Sequence, residues 1–536
     1  MTKNYKILAD CKNMYEQEII DTIIVNRGIK DIEHFLNPKE EDLLPLNSLY
    51  RIEDAAKIIE YGLDNNEKFS VLFDVDTDGV SAGTIMTRYL SNYTDNISTY
   101  INNGKAHGLI GQDLYKYKNI DILIIVDSLD KNTNQYEELV NQGKKIIILD
   151  HHAINTEIDY DKYSVLVSSQ RKYGNPGLSG AGVVWKFCKY LDEYFMEDYA
   201  DSYTDLAACG ILADVCDVSE SNKENRYIVD CGLKNLKNPA LKKIIGSYEF
   251  NSKAILFSVA PLINACCRIE RNDCAMKMFL SDDNKEILKL KKSLEECKEI
   301  QTEELQRLLP KVQDDFESQD RNVLYSIIDS EYGIAGLIGN KSIEIYNKPM
   351  FILKDCGDKY TGSMRSTGYG DFKELCNDTN LATLNGHEQA SGIEVNKNVF
   401  DEFINTIDFI LSNTEQTTSS DIEIDCEINV EDITRTLVDK VKEINRISGA
   451  GFKPLTFKVT NINDYNISNF KQGKHLVILP SDFMQIIEWN TNVDFEEMED
   501  NALLNEPIEV IGELDSGWFI RKFMLKVIVS DMKVGA

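Results

Sequence analysis

The chain has 536 residues, too many for one hydrophobic core, and this length predicts roughly three to five domains. Hydrophobic residues make up 43% of the chain and aromatic residues 9%, as in ordinary globular proteins. The formal net charge of −31 argues against a protein covered in basic patches. A nucleic-acid enzyme of this charge would need a local basic groove, or carboxylates neutralised by metal ions.

Localisation and redox state are inferred from features that the sequence lacks. No apolar run reaches the roughly eighteen residues of a membrane-spanning helix. The first residues show neither a basic-then-apolar leader nor a small-residue cleavage site. We therefore expect a cytoplasmic protein that does not bind a membrane. The twelve cysteines contain no C-x-x-C pair, which favours buried reduced thiols over a zinc ribbon or a disulfide framework.

The first candidate site is the segment VLFDVDTDGVSAG, with Asp74, Asp76 and Asp78 at alternate positions before Gly79. A calcium-binding EF-hand loop begins this way, but its twelfth position requires a bidentate glutamate and is Ile85 here. The preceding run FSVLF predicts a strand, where an EF-hand has a helix, and GVSAGTIMTRYL predicts a helix after the loop. Strand, acidic loop and helix form the unit of an α/β sheet, whose chemistry lies at the carboxyl ends of its strands.

Three later segments also place polar residues after apolar stretches. Asp127 ends DILIIVD, Asp150 with His151 and His152 ends KKIIILDHH, and Asp214 follows AACGILA. The first two runs are apolar on both faces, which is typical of buried parallel strands. A single aspartate after a strand is more often a turn former or a helix cap. Four such segments together predict one cleft whose carboxylates and imidazoles suit manganese or magnesium, with two ions about 3.5–4 Å apart.

These residues resemble the DHH phosphoesterases, a family named for a signature present here as Asp150-His151-His152. More narrowly, the chain is similar to the RecJ family of single-strand-specific 5′→3′ DNA exonucleases. The most similar segment is GLSGAGVVWKF at 177–187, and LADV, ENR and APLINACCRI follow in the family's order. NRGI and HFLNP resemble its N-terminal region, and GSMRS and NGHEQASG its second lobe. GKHLVILPSDFMQIIEWN resembles, more weakly, its OB-fold.

The resemblance implies a set of functional residues. The implied ligands of two Mn²⁺ (or Mg²⁺) ions are Asp74, Asp76, Asp78, Asp127, His151 and Asp214. The implied catalytic residues are Asp127, His151, His152 and Arg268, and Asp150 would complete or orient the site. The implied substrate-binding residues are Lys105, Asn264, Arg268, Ser363, Arg365, Gly386 and His387. The alternatives are a salt bridge from Arg268 to Glu270 or Asp273, and a loop-packing role for His387.

The sequence departs from the family pattern at several points. Phe73 stands where many relatives have glycine. After Asp127, Ser128 and Leu129 replace the cysteine and glycine that are usual in the family. INNGKAHGL offers Lys105 and His107 where relatives place a phosphate-binding arginine and a tyrosine. None of these changes removes a proposed metal ligand. We expect recognition of a 5′ phosphate to be altered, because a lysine lacks the two-pronged guanidinium of arginine.

The predicted fold class is α/β: a two-lobed DHH phosphoesterase core with a parallel sheet and flanking helices, followed by an OB-like β-barrel. An apolar stripe at Ile287, Leu290, Leu294 and Cys297 predicts a long helix between the lobes. The polar segment NTEQTTSS predicts a linker. The predicted units are the N-terminal region with the DHH catalytic domain (1–283), the connecting helix (284–318), the second α/β lobe (319–412) and the nucleic-acid-binding barrel (421–536).

Together these features predict a two-metal hydrolase that shortens single-stranded DNA from its 5′ end in recombination or repair, releasing nucleoside 5′-monophosphates. Three alternatives stay open: a DHH phosphodiesterase for short oligonucleotides or cyclic dinucleotides, an inorganic pyrophosphatase, and a catalytically inactive replication scaffold. The connecting helix and the barrel weigh against the small-substrate enzymes, and the complete ligand set weighs against the scaffold. The expected partners are single-stranded DNA and, given the negative charge, a single-strand-binding protein; we expect a monomer.

Overall fold

The computed structural model describes residues 4–102, 107–130, 132–416, 422–470, 475–489, 491, 495, 498, 501–502, 506–519 and 522–534. The strands in these ranges form a two-stranded, a seven-stranded and two five-stranded sheets. Within the same ranges, no helix is long and apolar enough to cross a lipid bilayer.

The N-terminal segment carries β1 (Tyr5–Ile7), α1 (Glu16–Asn26), α2 (Ile32–Leu36) and α3 (Ile52–Asp64). Ile19, Ile20 and Ile23 recur at helical spacing along α1 and are buried. They share a hydrophobic core with Leu437 and Val441, far away in the sequence. The start of the chain therefore packs against its C-terminal part.

The first large sheet consists of β2 (Phe69–Phe73), β3 (Ile97–Ile101), β4 (Ile122–Val126), β5 (Lys145–Asp150) and β6 (Val165–Ser168). Its strands are parallel and lie in the order β3-β2-β4-β5-β6. Every residue of β2 and β4 is buried, as their apolar runs predict. Phe73 pairs with Val126, and Val126 pairs with Leu149. The residue that follows each of these three therefore lies at the same edge of the sheet.

Helices cover both faces of this sheet. They are α4 (Thr77–Leu90), α5 (Asn134–Asn141), α6 (Gly180–Phe195), α7 (Thr204–Ala213), α8 (Lys223–Lys234), α9 (Pro239–Ile245), α10 (Ser252–Ala254), α11 (Ala260–Arg268) and α12 (Asn272–Leu280). Successive residues of β4 point to opposite faces of the sheet. Ile124 lies in the core with α4, α6 and α7, and Ile125 lies in the core with Tyr136 and Leu139 of α5. Burial on both faces explains why these strands are continuous apolar runs.

A long helix, α13 (Asn284–Glu317), connects the first sheet to the next one. Ile287, Leu294 and Cys297 of the predicted stripe are buried. The first half of α13 packs in the core around the first sheet. Its second half packs through Leu308 and Phe316 against the second sheet. The helix thus fixes the two lobes relative to each other.

The second lobe contains β7 (Leu324–Ile328), β8 (Met350–Asp355), β9 (Lys359–Arg365), β10 (Ala382–His387) and β11 (Ala390–Asn396), with α14 (Ala335–Tyr346), α15 (Phe372–Asn377) and α16 (Phe400–Ser412). The strand order is β10-β11-β9-β8-β7. Only β7 and β8 pair in parallel among these neighbours. The lobe is therefore the second α/β unit that the sequence predicts.

The C-terminal part contains α17 (Arg435–Asn445) and the strands β12 (Ile422–Ile424), β13 (Cys426–Asn429), β14 (Phe457–Ile462), β15 (Asn466–Phe470), β16 (His475–Ser481), β17 (Met484–Trp489), β18 (Ile508–Phe519) and β19 (Lys522–Val534). Seven of these strands form one sheet in the order β13-β14-β18-β19-β17-β16-β15. Its edge strands β13 and β15 do not pair with each other in the described part of the chain, so this OB-like sheet is open rather than a closed barrel.

The two ends of the chain are joined by strand pairing and by charge. β1 pairs in parallel with β12. Arg27, at the end of α1, donates from Nη2 to Oδ2 of the buried Asp425 at 2.6 Å. The predicted unit 1–283 therefore contains a segment that is buried against the C-terminal sheet.

Candidate metal centre

The proposed ligands lie at the carboxyl edge of the first sheet. Asp74 follows β2, Asp127 follows β4, and His151 follows β5. Asp127 has a φ of +54°, a left-handed conformation that is uncommon outside glycine. Such a conformation persists where the surroundings impose it, and here it accompanies a carboxylate that is only 2% exposed.

The two aspartates at the start of α4 have separate supports. Asp76 is the N-cap of α4, and its Oδ1 accepts a hydrogen bond from the Gly79 amide at 3.0 Å. Asp78 points to the start of α6, where it accepts from the Gly180 amide at 2.7 Å and the Ala181 amide at 2.9 Å. Ser179 Oγ donates to it at 3.0 Å. Asp78 is thus fixed in one orientation by three donors.

His151 lies between the carboxylates. Its Nε2 is 3.1 Å from Asp127 Oδ1 and 3.7 Å from Asp78 Oδ2, and its Nδ1 is 3.7 Å from Asp214 Oδ2. Asp214 caps the end of α7, so the apolar stretch before it is a helix. The structure thus brings together a carboxylate or imidazole from each of the four segments that the sequence singles out.

The ligand atoms form three overlapping groups in which all atoms lie within 4.8 Å of one another. These groups are Asp127 with His151 and His152, Asp78 with His151 and Asp214, and Asp74 with Asp76 and Asp127. Every ligand implied by the resemblance belongs to at least one group. The assignment of each residue as a ligand stays a prediction.

One buried atom indicates that a cation fits this cleft. Asp127 Oδ1 is buried and has no hydrogen-bond partner among the described residues, although His151 Nε2 lies 3.1 Å away. A buried carboxylate oxygen without a donor is costly, whereas a divalent cation would satisfy both the oxygen and the imidazole. Oxygen ligands with one or two imidazoles suit manganese or magnesium.

The carboxylates repel one another when no cation lies between them. Burial, with the charge of Asp76, raises the pKa of Asp74 to about 7. Burial, with the charges of Asp214 and Asp76, raises the pKa of Asp78 to about 7. Burial and the neighbouring Asp78 hold the pKa of Asp127 well above its ordinary value. Protons therefore compete with a metal ion for these oxygens near neutral pH.

We expect Mn²⁺ to stabilise the protein more as the pH rises from about 5 to about 8. The metal-free protein loses stability as the pH rises through about 7, because Asp74 and Asp78 then ionise in a folded state that disfavours their charges. Metal affinity rises over the same interval, because the ion no longer displaces protons. Thermal unfolding with Mn²⁺ and with chelator, measured at several pH values, tests this. A constant difference between the two curves would contradict it.

Asp150 and His152 form a tightly bonded pair beside the cleft. The backbone amide of His152 donates to Asp150 Oδ1 at 2.5 Å, and the ring Nδ1 of His152 lies 3.1 Å from the same oxygen. Burial alone would raise the pKa of Asp150, but His152 and His151 hold it below its ordinary value. Burial opposes the charge on His152, yet Asp150 raises the pKa of His152 to about 10. Asp150 therefore orients His152, in keeping with its predicted supporting role.

The sequence analysis missed two residues that orient Asp74. Asp74 Oδ1 accepts from Asn102 Nδ2 at 3.2 Å and from Ser128 Oγ at 3.3 Å. Ser128 Oγ also accepts from the Gly108 amide at 2.8 Å. The sequence shows Ser128 only as a departure from the family pattern. Its position directly after the ligand Asp127 was the available signal.

Replacing Ser128 with alanine is expected to weaken Mn²⁺ binding by about 10–100-fold, as loss of an outer hydrogen bond to a ligand usually does. Asp74 would lose one donor, and the loop at Gly108 would lose an acceptor. Titration of Mn²⁺ by calorimetry measures the effect. Ser164→Ala is the matched control, since Ser164 is also buried and its hydroxyl donates to the Tyr160 carbonyl. Equal affinities for both variants would contradict the supporting role.

A third histidine also reaches the cleft. The ring of His107 lies 4.7 Å from that of His152, and its Nδ1 is 3.9 Å from Asp74 Oδ1. The backbone amide of Leu109, in the same loop, donates a hydrogen bond of 2.9 Å to Oδ2 of the buried Asp130. The neighbouring Lys105, a predicted substrate contact, lies outside the described residues.

Arg268 ends α11, one helical turn after Asn264, which contacts Thr77 between Asp76 and Asp78. With Arg365 of β9 it defines the surface called here the facing wall. Arg268 Nη1 donates to Gln301 of α13 at 3.2 Å, and Arg365 Nη1 donates to the Met364 carbonyl at 2.7 Å. Burial, followed by the charge of Arg268, lowers the pKa of Arg365, so the two guanidiniums are neighbours. The described residues provide no carboxylate ion pair for either of them. The alternative salt bridge from Arg268 to Glu270 or Asp273 is therefore absent within the described chain.

The remaining predicted contacts differ in their positions. Asn264 Oδ1 accepts from Thr77 Oγ1 at 3.0 Å, so it lies at the start of α4. Arg365 pairs with Ala390, which pairs with His387, so His387 and Arg365 share a sheet face two strands apart. Ser363 lies on that face as well. His387 is exposed, and its carbonyl accepts from Ser391 Oγ at 2.6 Å.

Gly386 has a φ of +132°, a conformation that requires glycine. A Cβ there would lie 3.0 Å from the Ala390 carbonyl oxygen. Its predicted substrate contact is untested by any described interaction. The backbone turn is the role that the geometry gives it.

The part of the chain that carries most of this site matches a known family. Residues 68–211 match the DHH family, N-terminal domain. The chain is 29% identical over 436 residues to YorK, named as a prophage-derived single-strand DNA-specific exonuclease of Bacillus subtilis (strain 168). That alignment covers 73% of this chain and 74% of YorK. RecJ of the same organism is 26% identical over 480 residues, which cover 83% of this chain and 59% of RecJ.

The fold also matches a solved structure of the same kind. The crystal structure of Thermus thermophilus RecJ in complex with Mn²⁺ superposes with a TM-score of 0.78 at 20% identity. The match covers 99% of this chain and 79% of that one. Residues 68–211 thus match a DHH domain, and the chain is homologous to the RecJ single-stranded-DNA-specific exonucleases.

Proposed function

We propose that this protein is a metal-dependent exonuclease that hydrolyses single-stranded DNA from the 5′ end and releases nucleoside 5′-monophosphates. One observation carries the proposal: α11 lies beside the acidic and imidazole-rich centre, since its Asn264 contacts Thr77, and Arg268 one turn later has no carboxylate partner in the described chain. Cation ligands beside a guanidinium fit a bound phosphodiester. The homology to RecJ and YorK supports single-stranded DNA as the substrate.

The residues named above would hold two divalent ions, Mn²⁺ or Mg²⁺. Bound there, the ions would supply an activated water and neutralise charge on the oxygens around phosphorus. The chain's own groups provide the geometry. Asp150 orients His152, Ser128 orients Asp74, and Asn264 contacts the first turn of α4.

The guanidiniums and hydroxyls of the facing wall would bind the phosphate itself. Arg268 and Arg365 each present a planar fork that matches two phosphate oxygens. Ser363 adds a hydroxyl donor near them, since Gly336 lies beside both Ser363 and Arg365. These contacts would hold the phosphorus in place while the centre opposite supplies the chemistry.

Two features favour a long strand over a small nucleotide as the substrate. The metal centre lies in the first lobe, α13 connects this lobe to a second one, and a further sheet of seven strands follows. Short oligonucleotides and cyclic dinucleotides would need neither. A role in DNA recombination or repair is part of the same proposal.

The test uses one oligonucleotide, labelled at its 5′ end or internally, as single strand and as duplex. Labelled mononucleotide should appear from the 5′ end of the single strand with Mn²⁺ and not with chelator. Arg268→Lys keeps the charge but not the fork, so it should raise KM for the strand. Cleavage of dinucleotides but not of the long strand would replace the proposal with the small-substrate enzyme. No cleavage of any substrate would support the scaffold.

We also propose a single-strand-binding protein as a partner. A chain of net charge −31 is repelled by free DNA at long range, so delivery by a DNA-bound protein would help it. A fluorescence binding assay between the two purified proteins tests this. No association with or without DNA would end this part of the proposal.

A further inference from the structure

Four cations from four elements lie next to one another on the facing wall: Arg268 of α11, Lys298 of α13, Lys341 of α14 and Arg365 of β9. Burial, followed by the charges of Arg268 and Lys341, lowers the pKa of Lys298. A hydrogen bond from Arg268 to α13 also places Arg268 near Lys298. Arg268 donates to Gln301, which lies one turn after Lys298 on the same face of α13.

The same arrangement connects α14 to the wall. Arg365 donates from Nε to Asn340, the residue that precedes Lys341. Gly336, in the first turn of α14, lies against Arg365, because a Cβ there would be 2.7 Å from Arg365 Nη2. The start of this twelve-residue helix therefore opens directly onto the cations, and helix N-termini favour anions.

The described residues pair none of the four cations with a carboxylate. Other lysines of α13, such as Lys289 and Lys292, also lack a carboxylate partner among the described residues, so what distinguishes the four cations is that they lie near one another. Elsewhere on α13, Lys291 pairs with Glu295 at 3.4 Å and Lys311 pairs with Asp315 at 2.8 Å. The cluster keeps like charges together at a cost in repulsion, which an anion from outside the chain would offset.

A cavity of about 420 Å³ lies beside the cluster. Gly333, Gly336 and Ser363 contribute to its lining. Its charged lining residues are Glu270, Glu331, Lys354 and Glu394, and none of the glutamates forms an ion pair with the four cations in the described chain. The four cations do not line the cavity themselves; it adjoins them through Gly336 and Ser363, which lie next to Arg365.

We propose that Lys298 and Lys341 form a second phosphate subsite, which holds the backbone of a single strand beyond the phosphate bound by Arg268 and Arg365. This rests on the proposed function. Lysine ammonium groups are point charges without the planar fork, so they hold a phosphate without fixing its orientation. Such contacts suit a strand that advances after every cleavage, because they carry no sequence information. The subsite makes the enzyme prefer long strands over dinucleotides.

The test compares the double variant Lys298→Gln/Lys341→Gln with wild type on a strand of about 20 nucleotides and on a dinucleotide. We expect KM for the long strand to rise about tenfold, with kcat and the dinucleotide KM unchanged. The slope of log affinity against log salt should fall by about 0.7 for each lysine, since each would release counterions from one phosphate. Anisotropy of the labelled strand in chelator measures the slope.

The matched control is Lys291→Gln/Lys311→Gln, which removes the same amount of charge, but from two lysines of α13 that have carboxylate partners. It should keep the wild-type KM and salt slope. Unchanged values in the Lys298→Gln/Lys341→Gln variant would overturn the subsite while wild-type cleavage keeps the proposed function. An equal loss of kcat on both substrates would also overturn it. A wild-type protein that cuts no single strand would instead refute the proposed function.

Discussion

Replacing Asp127 with asparagine is expected to lower Mn²⁺-dependent cleavage by more than about 100-fold. Loss of an outer contact to a metal ligand already costs about 10–100-fold, and Asp127 supplies a ligand atom to two of the three groups. The amide keeps the size of the side chain, so the loss would reflect charge and not packing. Release of labelled mononucleotide with Mn²⁺ measures it.

The same variant separates metal binding from folding. Burial and the neighbouring Asp78 disfavour the charge on Asp127, so the asparagine should leave the metal-free protein at least as stable as wild type. Wild type should gain about 2.7 kcal/mol when the free metal concentration is a hundred times Kd. The variant should gain much less. Thermal unfolding with Mn²⁺ and with chelator gives both quantities.

Asp205→Asn is the matched control. Asp205 is also buried, and its Oδ2 accepts from the Lys237 and Asn238 amides at 2.7 Å, away from the cleft. Its replacement should lower the stability of the metal-free protein while the gain from Mn²⁺ is kept. If Asp127→Asn retained the full gain from Mn²⁺, the centre would have to be assigned elsewhere.

The first sheet is predictable from sequence because its strands are buried on both faces. Such strands show as continuous apolar runs, and the polar residue after each run marks its carboxyl end. β2 and β4 are fully buried as expected. The parallel register then aligns these three strand ends at one edge, and Asp214 reaches the same site from the end of the helix α7.

The arrangement of the two chain ends could not be predicted in the same way. β1 is three residues long and pairs with β12, more than four hundred positions later. The isoleucines of α1 show only that one face is buried, not which surface covers it. Whether the OB-like sheet closes could not be predicted for a related reason: strand number and turns are local, whereas closure depends on pairing between distant edges, which the described residues do not show.

The candidate site divides along the same line. The proposed ligands follow recognisable runs, whereas the groups that orient them contact across the sheet with no local pattern. Asn102, the residue directly after β3, donates hydrogen bonds to both Asp74 and Ser128. Lys298 and Lys341 look like ordinary helix-surface lysines in sequence. Only their position near each other and near Arg268 in the folded chain distinguishes them.

Gly210→Ala is expected to remove activity by more than about 100-fold, although it lies in the middle of a helix. Alanine is favoured over glycine there by about 1 kcal/mol when nothing else intervenes. In α7, however, the new Cβ would lie 2.1 Å from Asp78 Oδ1 and 2.5 Å from the Ala181 Cβ. Asp78 cannot turn away without breaking its bonds to the start of α6.

The substitution should therefore push α7 from α4 and separate Asp214 from Asp78 and His151. We expect a loss of about 1–3 kcal/mol in the free energy of unfolding, as overpacking usually costs, together with the loss of Mn²⁺ stabilisation. Gly177→Ala is the control, because its nearest contacts would be 3.5 Å and 3.6 Å away. Chemical denaturation, Mn²⁺ titration and the cleavage assay measure the three effects. Wild-type cleavage by Gly210→Ala would mean that the centre does not need Asp78 in the position where α6 holds it.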